Sequence, residues 1–536
     1  MKPTQEQDHV ATDAAALRSG EVLKVIAFAG AGKTTTLKQI ALRRPDRGVY
    51  LAFNAEIAKE AGVKMIGTRC TARTMHSLAY AAVVGQGGGR LTDLTMNDIK
   101  NAIDVDRYRF PKLPGWTAYR ISSLVKRTLA KFCASDDTIV MPHHATDALI
   151  DTMGDPSKIR DDERRQRAED ALERFSLPAA LAAQDLFTGL VGRGEYSHDS
   201  YLKMLDLEAD MRNNAFRGQR YILLDEAQDL NPVQRSIVTK TGLPLVAVGD
   251  PYQQIYSWRG AQNALDLLPG NSLYLTQSFR FGENIAKVAR LILSERPDGG
   301  PEQQLIGTER TTPIRSWEGP KGAWICRTNM GVLDTGLRSA ERARHKIFID
   351  NFGEIVSDVR VARALHDNTR TEAKSTRLAT FTNFAEIEAE AESGDAELTR
   401  LVKIIKEKKD PDVFKLAELC VADEKSADIT IITGHRSKGR EWPTVGLGSD
   451  WKSMDEMHAA HKKSQRNSAA AETQAIEQFN VLYVALTRAM QTLKDPMERL
   501  YPDTKRPDPI VEEYNRHAAM AAEASHLRLV HSTPSP

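Results

Sequence analysis

Glu21-Val-Leu-Lys-Val-Ile-Ala-Phe28, running directly into Ala29-Gly-Ala-Gly-Lys-Thr34, decides how this chain is read. A short run of apolar and β-branched residues meets two glycines, and a helix-prone stretch, Thr35 to Arg43, follows. Strand, glycine loop and helix in that order mark the first turn of a parallel α/β layer. The glycines let the backbone curl so that several N–H groups converge at the positive end of the helix, where an anion is stabilised. Residues 27–34 fit the Walker A pattern with alanine in its first glycine position. Lys33 would then reach the outer phosphates of a nucleotide, and the Thr34 hydroxyl would hold Mg²⁺. A glycine turn followed by a chance Lys-Thr is the simpler alternative, and the strand before and helix after it argue against that.

Working outward, Gly48–Phe53, Tyr221–Leu224 and Leu245–Val248 are nearly all apolar. Continuous apolar strands alternating with helices predict a parallel sheet covered on both faces. Asp225-Glu-Ala-Gln-Asp229 follows the second of these runs, at the carboxyl end of a strand, where such sheets bind ligands. Asp225 would hold the metal and Glu226 would position or deprotonate the attacking water. Alone, such acids are often only a helix N-terminus; beside a phosphate loop they read as catalytic. Lys33 and Asp225 lie about 190 residues apart, too far for one simple layer, so the helix-prone residues 80–199 form an insertion. A second set, Ala323–Cys326, Ile347–Ile349, Asp428–Ile432 and Thr444–Leu447, predicts a second α/β sheet, interrupted by the charged residues 350–420.

The chain has 536 residues, material for about three or four domains. Its 73 basic and 72 acidic side chains nearly cancel. That excludes a uniformly polycationic binder but not a local basic groove. Cys70, Cys133, Cys326 and Cys420 are far apart, which excludes a disulfide scaffold, zinc ribbon or iron–sulfur site built on them alone and suits a reducing compartment. The opening MKPTQEQDHVATDAAAL has no apolar core, and no long apolar run follows anywhere. A cytoplasmic protein that neither spans nor binds a membrane is expected. In the tail, one amphipathic helix (about 510–529) and a disordered HSTPSP end are expected.

Further blocks stand in order: PTQEQ (3–7), YLAFNAEIAKEA (50–61) with TARTMHSLAY (71–80), VGDPYQQIYSWRGA (248–261), LTQSFRF (275–281), ITGHRSKGREWPTV (432–445) and NVLYVALTRA (480–489). Together with the phosphate loop and DEAQD they resemble the UvrD/Rep/PcrA family of superfamily 1 helicases. Thr34-Thr-Thr-Leu37, HDSYLKMLDLEAD (198–210) and a short gap after LTQSFRF bring the chain closest to the F-box DNA helicase branch, though no F-box is recognised. The resemblance implies an α/β fold of two RecA-like P-loop NTPase domains with helical insertions. The first domain would comprise 1–79 and 200–275, with insertion 80–199; the second would comprise 276–349 and 421–495, with insertion 350–420, followed by tail 496–536. Arg280 and Lys438 lie about 160 residues apart, so the large insertion of UvrD-like members does not fit at full size.

For the nucleotide, the resemblance implies ATP with Mg²⁺, cradled by Ala29, Gly30, Ala31, Gly32, Lys33 and Thr34, the metal resting on Thr34 and Asp225. Gln7 would read the adenine edge, an exposed N-terminal glutamine being the equal alternative. Phe279 would pack on the base where tyrosine is commoner, and Thr35 stands where several members place arginine. Gln253 would sense the γ-phosphate, and its neighbour Gln254 misses the motif offset. Arg280 and Arg488 would contact the γ-phosphate, forked guanidinium donors matching phosphate oxygens; a surface salt bridge is the alternative. Lys438, Gly439 and Glu441 would lie at the nucleotide edge of the second domain.

For nucleic acid, the resemblance points to Phe53, Asn54, His76, Tyr256, Trp258, Arg259 and His435. A base stacking on Trp258 is worth about 1–3 kcal/mol and tolerates any sequence, although tryptophan is often core; for the histidines a local hydrogen bond is nearly as good an account. The implied activity is an ATP-dependent helicase and single-stranded DNA translocase moving 3′ to 5′, acting on single strands and single-strand/duplex junctions, with recombinase or repair proteins as partners. A translocase that displaces bound proteins with little unwinding, and a nucleotide-switched binding module, are the alternatives.

Overall fold

The apolar runs become strands because each can be buried on both faces. The computed structural model describes residues 2–494 and residue 500, apart from 86–87, 114–115, 160, 258–259, 310–313, 316–321, 343–344, 376–377, 379–380, 393–395 and 466–468. The chain divides into one unit of Met1–Thr276, Asp350–Cys420 and Lys463–Glu477, and a second of Gln277–Ile349, Val421–Lys462 and the chain from Gln478.

Unit 1 contains β1 (Val22–Ala27), β2 (Gly48–Ala52), β3 (Cys70–Thr74), the two-residue β4 (Arg90–Leu91) and β5 (Glu195–Tyr196), then β6 (Tyr221–Leu224), β7 (Leu245–Gly249) and β8 (Asn271–Leu275). Six of them form a parallel sheet in the order β3-β2-β6-β7-β1-β8. Strands β2, β6 and β7 are buried at every residue, the pattern of a sheet covered on both sides. Alternate side chains serve opposite cores: Val25, Tyr50, Leu223 and Val248 pack with Leu37 and Ile40, whereas Val49, Leu51, Ile222 and Ala247 pack with Val233 and Ile237. Strands β3 and β8 are sheet edges and only partly buried, so neither shows a continuous apolar run.

The described residues of 80–199 are mainly helical as expected, with the short parallel pair β4 and β5 and loops between the helices. Helix Ala118–Ala134 buries Ile121, Leu124, Val125, Thr128, Leu129 and Phe132, a stripe at helical spacing. Residues 350–420 supply helices Phe352–His366, Phe384–Glu392, Ala396–Lys406 and Asp410–Leu419. This segment interrupts unit 2 in sequence yet groups with unit 1 in space. Glu390 pairs with Arg127 at 3.4 Å, and the Phe381 and Tyr119 rings lie 5.9 Å apart. The charge-rich run is an amphipathic surface whose Leu398, Leu401, Ile404 and Ile405 are buried.

Unit 2 holds β9 (Gln277–Gly282), β10 (Ile306–Thr308), β11 (Ile314–Arg315), β12 (Gly322–Cys326), β13 (Ile347–Ile349), β14 (Ile429–Thr433), β15 (Trp442–Leu447) and β16 (Ala489–Lys494). Strands β9 and β10 pair with each other, and the rest form a parallel sheet ordered β11-β16-β15-β12-β14-β13. The tail helix expected near 510–529 lies outside the described residues.

Candidate nucleotide site and strand-facing residues

Strand β1 sits between β7 and β8 and delivers the chain into the phosphate loop. The Phe28 N–H donates to the Leu275 carbonyl at 3.2 Å, and the Ala31 N–H donates back to the Phe28 carbonyl at 3.0 Å. Gly30 and Gly32 have φ of +76° and +80°, a region a Cβ disfavours, so glycine is needed at both. Helix Lys33–Arg43 starts at Gly32 without a side-chain cap, which leaves first-turn N–H groups for an anion. Within the loop Ala29 and Ala31 are buried, while Thr35 is exposed on the helix.

At the loop's edge Lys33 Nζ lies 2.9 Å from Glu226 Oε1. Burial works against the Lys33 ammonium, but Glu226, Asp225 and Asp250 outweigh it and raise its pKa. Asp225 is buried at the end of β6. Desolvation first, then repulsion from Glu226, raises its pKa, against Lys33, the Tyr50 hydroxyl and the Glu226 N–H, which favour the anion. The Tyr50 hydroxyl donates to Asp225 Oδ2 and is also hydrogen-bonded to Thr34. The two expected Mg²⁺ ligands are therefore gathered around one hydroxyl, and their hard oxygens suit that ion. Glu226 itself has φ +51°, a strained conformation of the kind that clusters at functional sites.

A chain of hydrogen bonds runs behind the pair. Gln228 Nε2 donates to Glu226 Oε2 at 2.6 Å, and Gln228 Oε1 accepts from the Asp250 N–H at 3.0 Å. Gln253 Nε2 donates to Asp250 Oδ2 at 2.7 Å. Gln228, Asp250 and Gln253 are all buried, so the network ties the acidic motif to the end of β7. Gln254, by contrast, donates to the Ala261 carbonyl at 3.1 Å. The sequence reading assigned no role to Tyr50, Gln228 or Asp250. Asp250 follows an apolar strand just as Asp225 does, so the same rule could have found it; Tyr50 looks like ordinary core.

Gln7 is buried, not exposed. Its Oε1 accepts from the Thr4 N–H at 3.2 Å as half of a capping box, and its Nε2 donates to the Ala31 carbonyl at 3.4 Å. It is thereby held against the phosphate loop.

In unit 2, Arg280 Nε donates to Glu441 Oε2 at 2.7 Å and Nη1 to the Thr487 carbonyl at 3.0 Å. Arg488 is 2% exposed, which rules out a surface salt bridge. Its Nε donates to the Val484 carbonyl at 2.9 Å, Nη2 to Thr487 Oγ1 at 3.2 Å and Nη1 to the Arg440 carbonyl at 3.5 Å. Thr487 thus links the two arginines, and sequence reasoning missed it. Phe279 is 36% exposed at β9. Lys438 is half-buried beside exposed Gly439 at φ +83°.

Of the residues expected to face nucleic acid, Phe53 and Tyr256 stack on each other, centroids 5.5 Å apart. Asn54 Oδ1 accepts from the Ile57 N–H at 2.8 Å and caps helix Ala55–Lys64, a structural duty for that side chain. His76 is edge-on to Tyr201 at 6.0 Å, and burial lowers its pKa. His435 is half-buried on the short helix Gly434–Ser437. Trp258 and Arg259 lie outside the described residues.

Residues 9–267 match the UvrD/REP helicase N-terminal domain, and residues 195–494 match the UvrD-like helicase C-terminal domain. F-box DNA helicase 1 of Gallus gallus is 29% identical over 514 residues, covering 92% of this chain and 49% of that protein. F-box DNA helicase protein 1 of Schizosaccharomyces pombe is 28% identical over 531 residues, covering 90% and 57% respectively. ATP-dependent DNA helicase PcrA of Staphylococcus aureus is 32% identical over 119 residues, 20% of this chain and 14% of that protein. The chain spans about half the length of the two F-box helicases it matches. A phosphate loop on a parallel sheet, an acidic pair at the end of β6 in the same sheet and these two matched domains together mean that the chain belongs to the UvrD-like helicase family.

Proposed function

We propose that this protein is an ATP-dependent DNA helicase that couples hydrolysis to 3′-to-5′ movement along single-stranded DNA, in repair or recombination. The observation that carries the reading is the Lys33–Glu226 pair at the mouth of an uncapped glycine loop, backed by Asp225, Gln228, Asp250 and Gln253. Arriving phosphates compete for the Lys33 ammonium and release Glu226, whose carboxylate then orients the attacking water. Gln253, hydrogen-bonded through Asp250 to Gln228, links the phosphate end of the site to that carboxylate. Mg²⁺ held by Thr34 and Asp225 would neutralise charge on the outer phosphates. Arg280 and Arg488 are the guanidinium groups read as stabilising the transferring phosphoryl group. Single-stranded DNA, alone or at junctions with duplex, is read as stacking on Trp258, with the stacked Phe53–Tyr256 pair as further aromatic surface.

ATPase assays with no nucleic acid, single-stranded DNA or RNA, combined with strand separation from 3′ and 5′ overhangs, test the proposal. Stimulation by DNA and unwinding from the 3′ overhang are expected; turnover indifferent to nucleic acid would leave only the switched binding module. A second reading, displacement of bound proteins such as recombinase filaments, is supported by the modest size of the segment 350–420, whose described residues form four helices. Efficient displacement without strand separation would favour it.

A further inference from the structure

We infer that Asp137, His143 and His144, in the helical insertion of unit 1, form a binding site for a divalent transition-metal ion of the zinc type. Asp137 Oδ2 lies 3.1 Å from His143 Nε2 and 3.0 Å from His144 Nε2. One ligand atom from each of the three residues falls within 4.8 Å of the others. Metal–ligand bonds of about 2.0–2.2 Å at tetrahedral angles place neighbouring ligand atoms about 3.3–3.5 Å apart. Asp137 therefore needs to move only a few tenths of an ångström from each imidazole to share an ion with it, and the two imidazoles already lie within reach of one ion. Two imidazoles and one carboxylate select zinc, cobalt or nickel over Mg²⁺, which prefers oxygen.

The second layer suits this chemistry. His144 Nδ1 lies 3.1 Å from the Met141 carbonyl. With its proton directed there, Nε2 presents its lone pair toward Asp137, the usual arrangement of a metal-bound histidine. The competing tautomer uses the Met141 N–H, 2.9 Å from Nδ1, and makes His144 a simple donor to Asp137. An ion decides between the two. Ser135 Oγ, 3.1 Å from His144 Nε2, adds a neutral oxygen on the same side. His144 is buried and held rigid, whereas Asp137 and His143 are half open to solvent and give an ion its entry path.

The loop carrying Asp137 is anchored before any ion arrives. The fully buried Lys203 ammonium donates to the carbonyls of Ser135 and Asp137. Asp136 pairs with Arg235 at 3.3 Å, on helix Pro232–Lys240, which begins just beyond the acidic motif. A bound ion would fasten helix Pro142–Met153 to that loop, and so brace the insertion against the nucleotide-binding layer.

The test uses the full chain without a polyhistidine tag or nucleotide, titrated with Co²⁺ and Zn²⁺. One saturable site, a visible cobalt d–d absorption and a higher thermal midpoint are expected. His143→Ala and Asp137→Asn should each weaken affinity by about ten-fold or more while leaving the metal-free melting curve near wild type, because both side chains reach solvent. Mg²⁺ should not compete. No saturable binding, or binding that survives both substitutions unchanged, would overturn the proposal.

Discussion

Lys33 Nζ and Glu226 Oε1, 2.9 Å apart, occupy each other. The cation expected to hold phosphate and the carboxylate expected to activate water are each other's partner. Neither side chain exceeds 16% exposure, so the pair is not a screened surface contact. A phosphate arriving at Lys33 would exchange one charge-assisted contact for another, tying release of the Glu226 carboxylate to occupancy of the loop.

Glu226→Gln keeps the side-chain volume and leaves Lys33 free for phosphate. Nucleotide binding should hold or tighten while hydrolysis falls by about 10²–10⁴. Lys33→Ala should lose binding and turnover together. Equilibrium binding of a fluorescent nucleotide alongside steady-state ATPase separates the two outcomes.

Gly249→Ala tests the buried network. A Cβ there would meet Gln228 Oε1 at 2.3 Å and the Ala227 nitrogen at 3.1 Å. Displacing Gln228 should cost about 1–3 kcal/mol of stability and slow turnover without altering secondary structure. Urea unfolding and ATPase rates measure both.

The two arginines should separate in their effects. Arg280→Ala removes a partly buried group whose Glu441 partner is half open to solvent, and should cut DNA-stimulated turnover with a smaller change in melting temperature than Arg488→Ala. Arg488→Ala also strips donors from the buried Val484 carbonyl and the buried Thr487 hydroxyl, so turnover should fall about 10³-fold or more and the melting temperature should drop as well. Equal melting curves for the two variants would contradict the buried bonding of Arg488.

Asp225 makes the metal-free fold pH-sensitive. Its raised pKa, caused first by desolvation and then by Glu226, means the folded chain keeps this proton to a higher pH than the unfolded chain does. Its contribution therefore weakens as pH rises through the interval above the ordinary carboxylate value. Asp225→Asn should flatten that part of the stability–pH curve in denaturant titrations, and should abolish Mg²⁺-dependent turnover.

Trp258→Ala should weaken DNA-stimulated ATPase more than basal ATPase, with about 1–3 kcal/mol lost from single-strand affinity. An equal loss of both rates would assign the ring to packing.

Much of the nucleotide site is readable because its parts are contiguous words in the chain. A strand, two glycines and Lys-Thr build one cradle locally, and an acid after an apolar run needs only the rule for strand ends. Tyr50 escaped because its bond to Asp225 joins positions 175 residues apart, and a tyrosine in an apolar strand announces only burial. Strands β3 and β8 escaped because an edge strand need not be apolar throughout.

Local order of residue types thus settled the two α/β layers, the phosphate loop and the acidic pair, since backbone curvature and strand burial are written in neighbouring positions. Only folding decided that residues 350–420 pack with unit 1, that Arg488 is buried, and that Asp137 meets His143 and His144. The first two depend on which surfaces meet across long stretches of chain, and the third on how a local loop is pinned by distant Lys203 and Arg235; packing decides these, and no single stretch of residues encodes it.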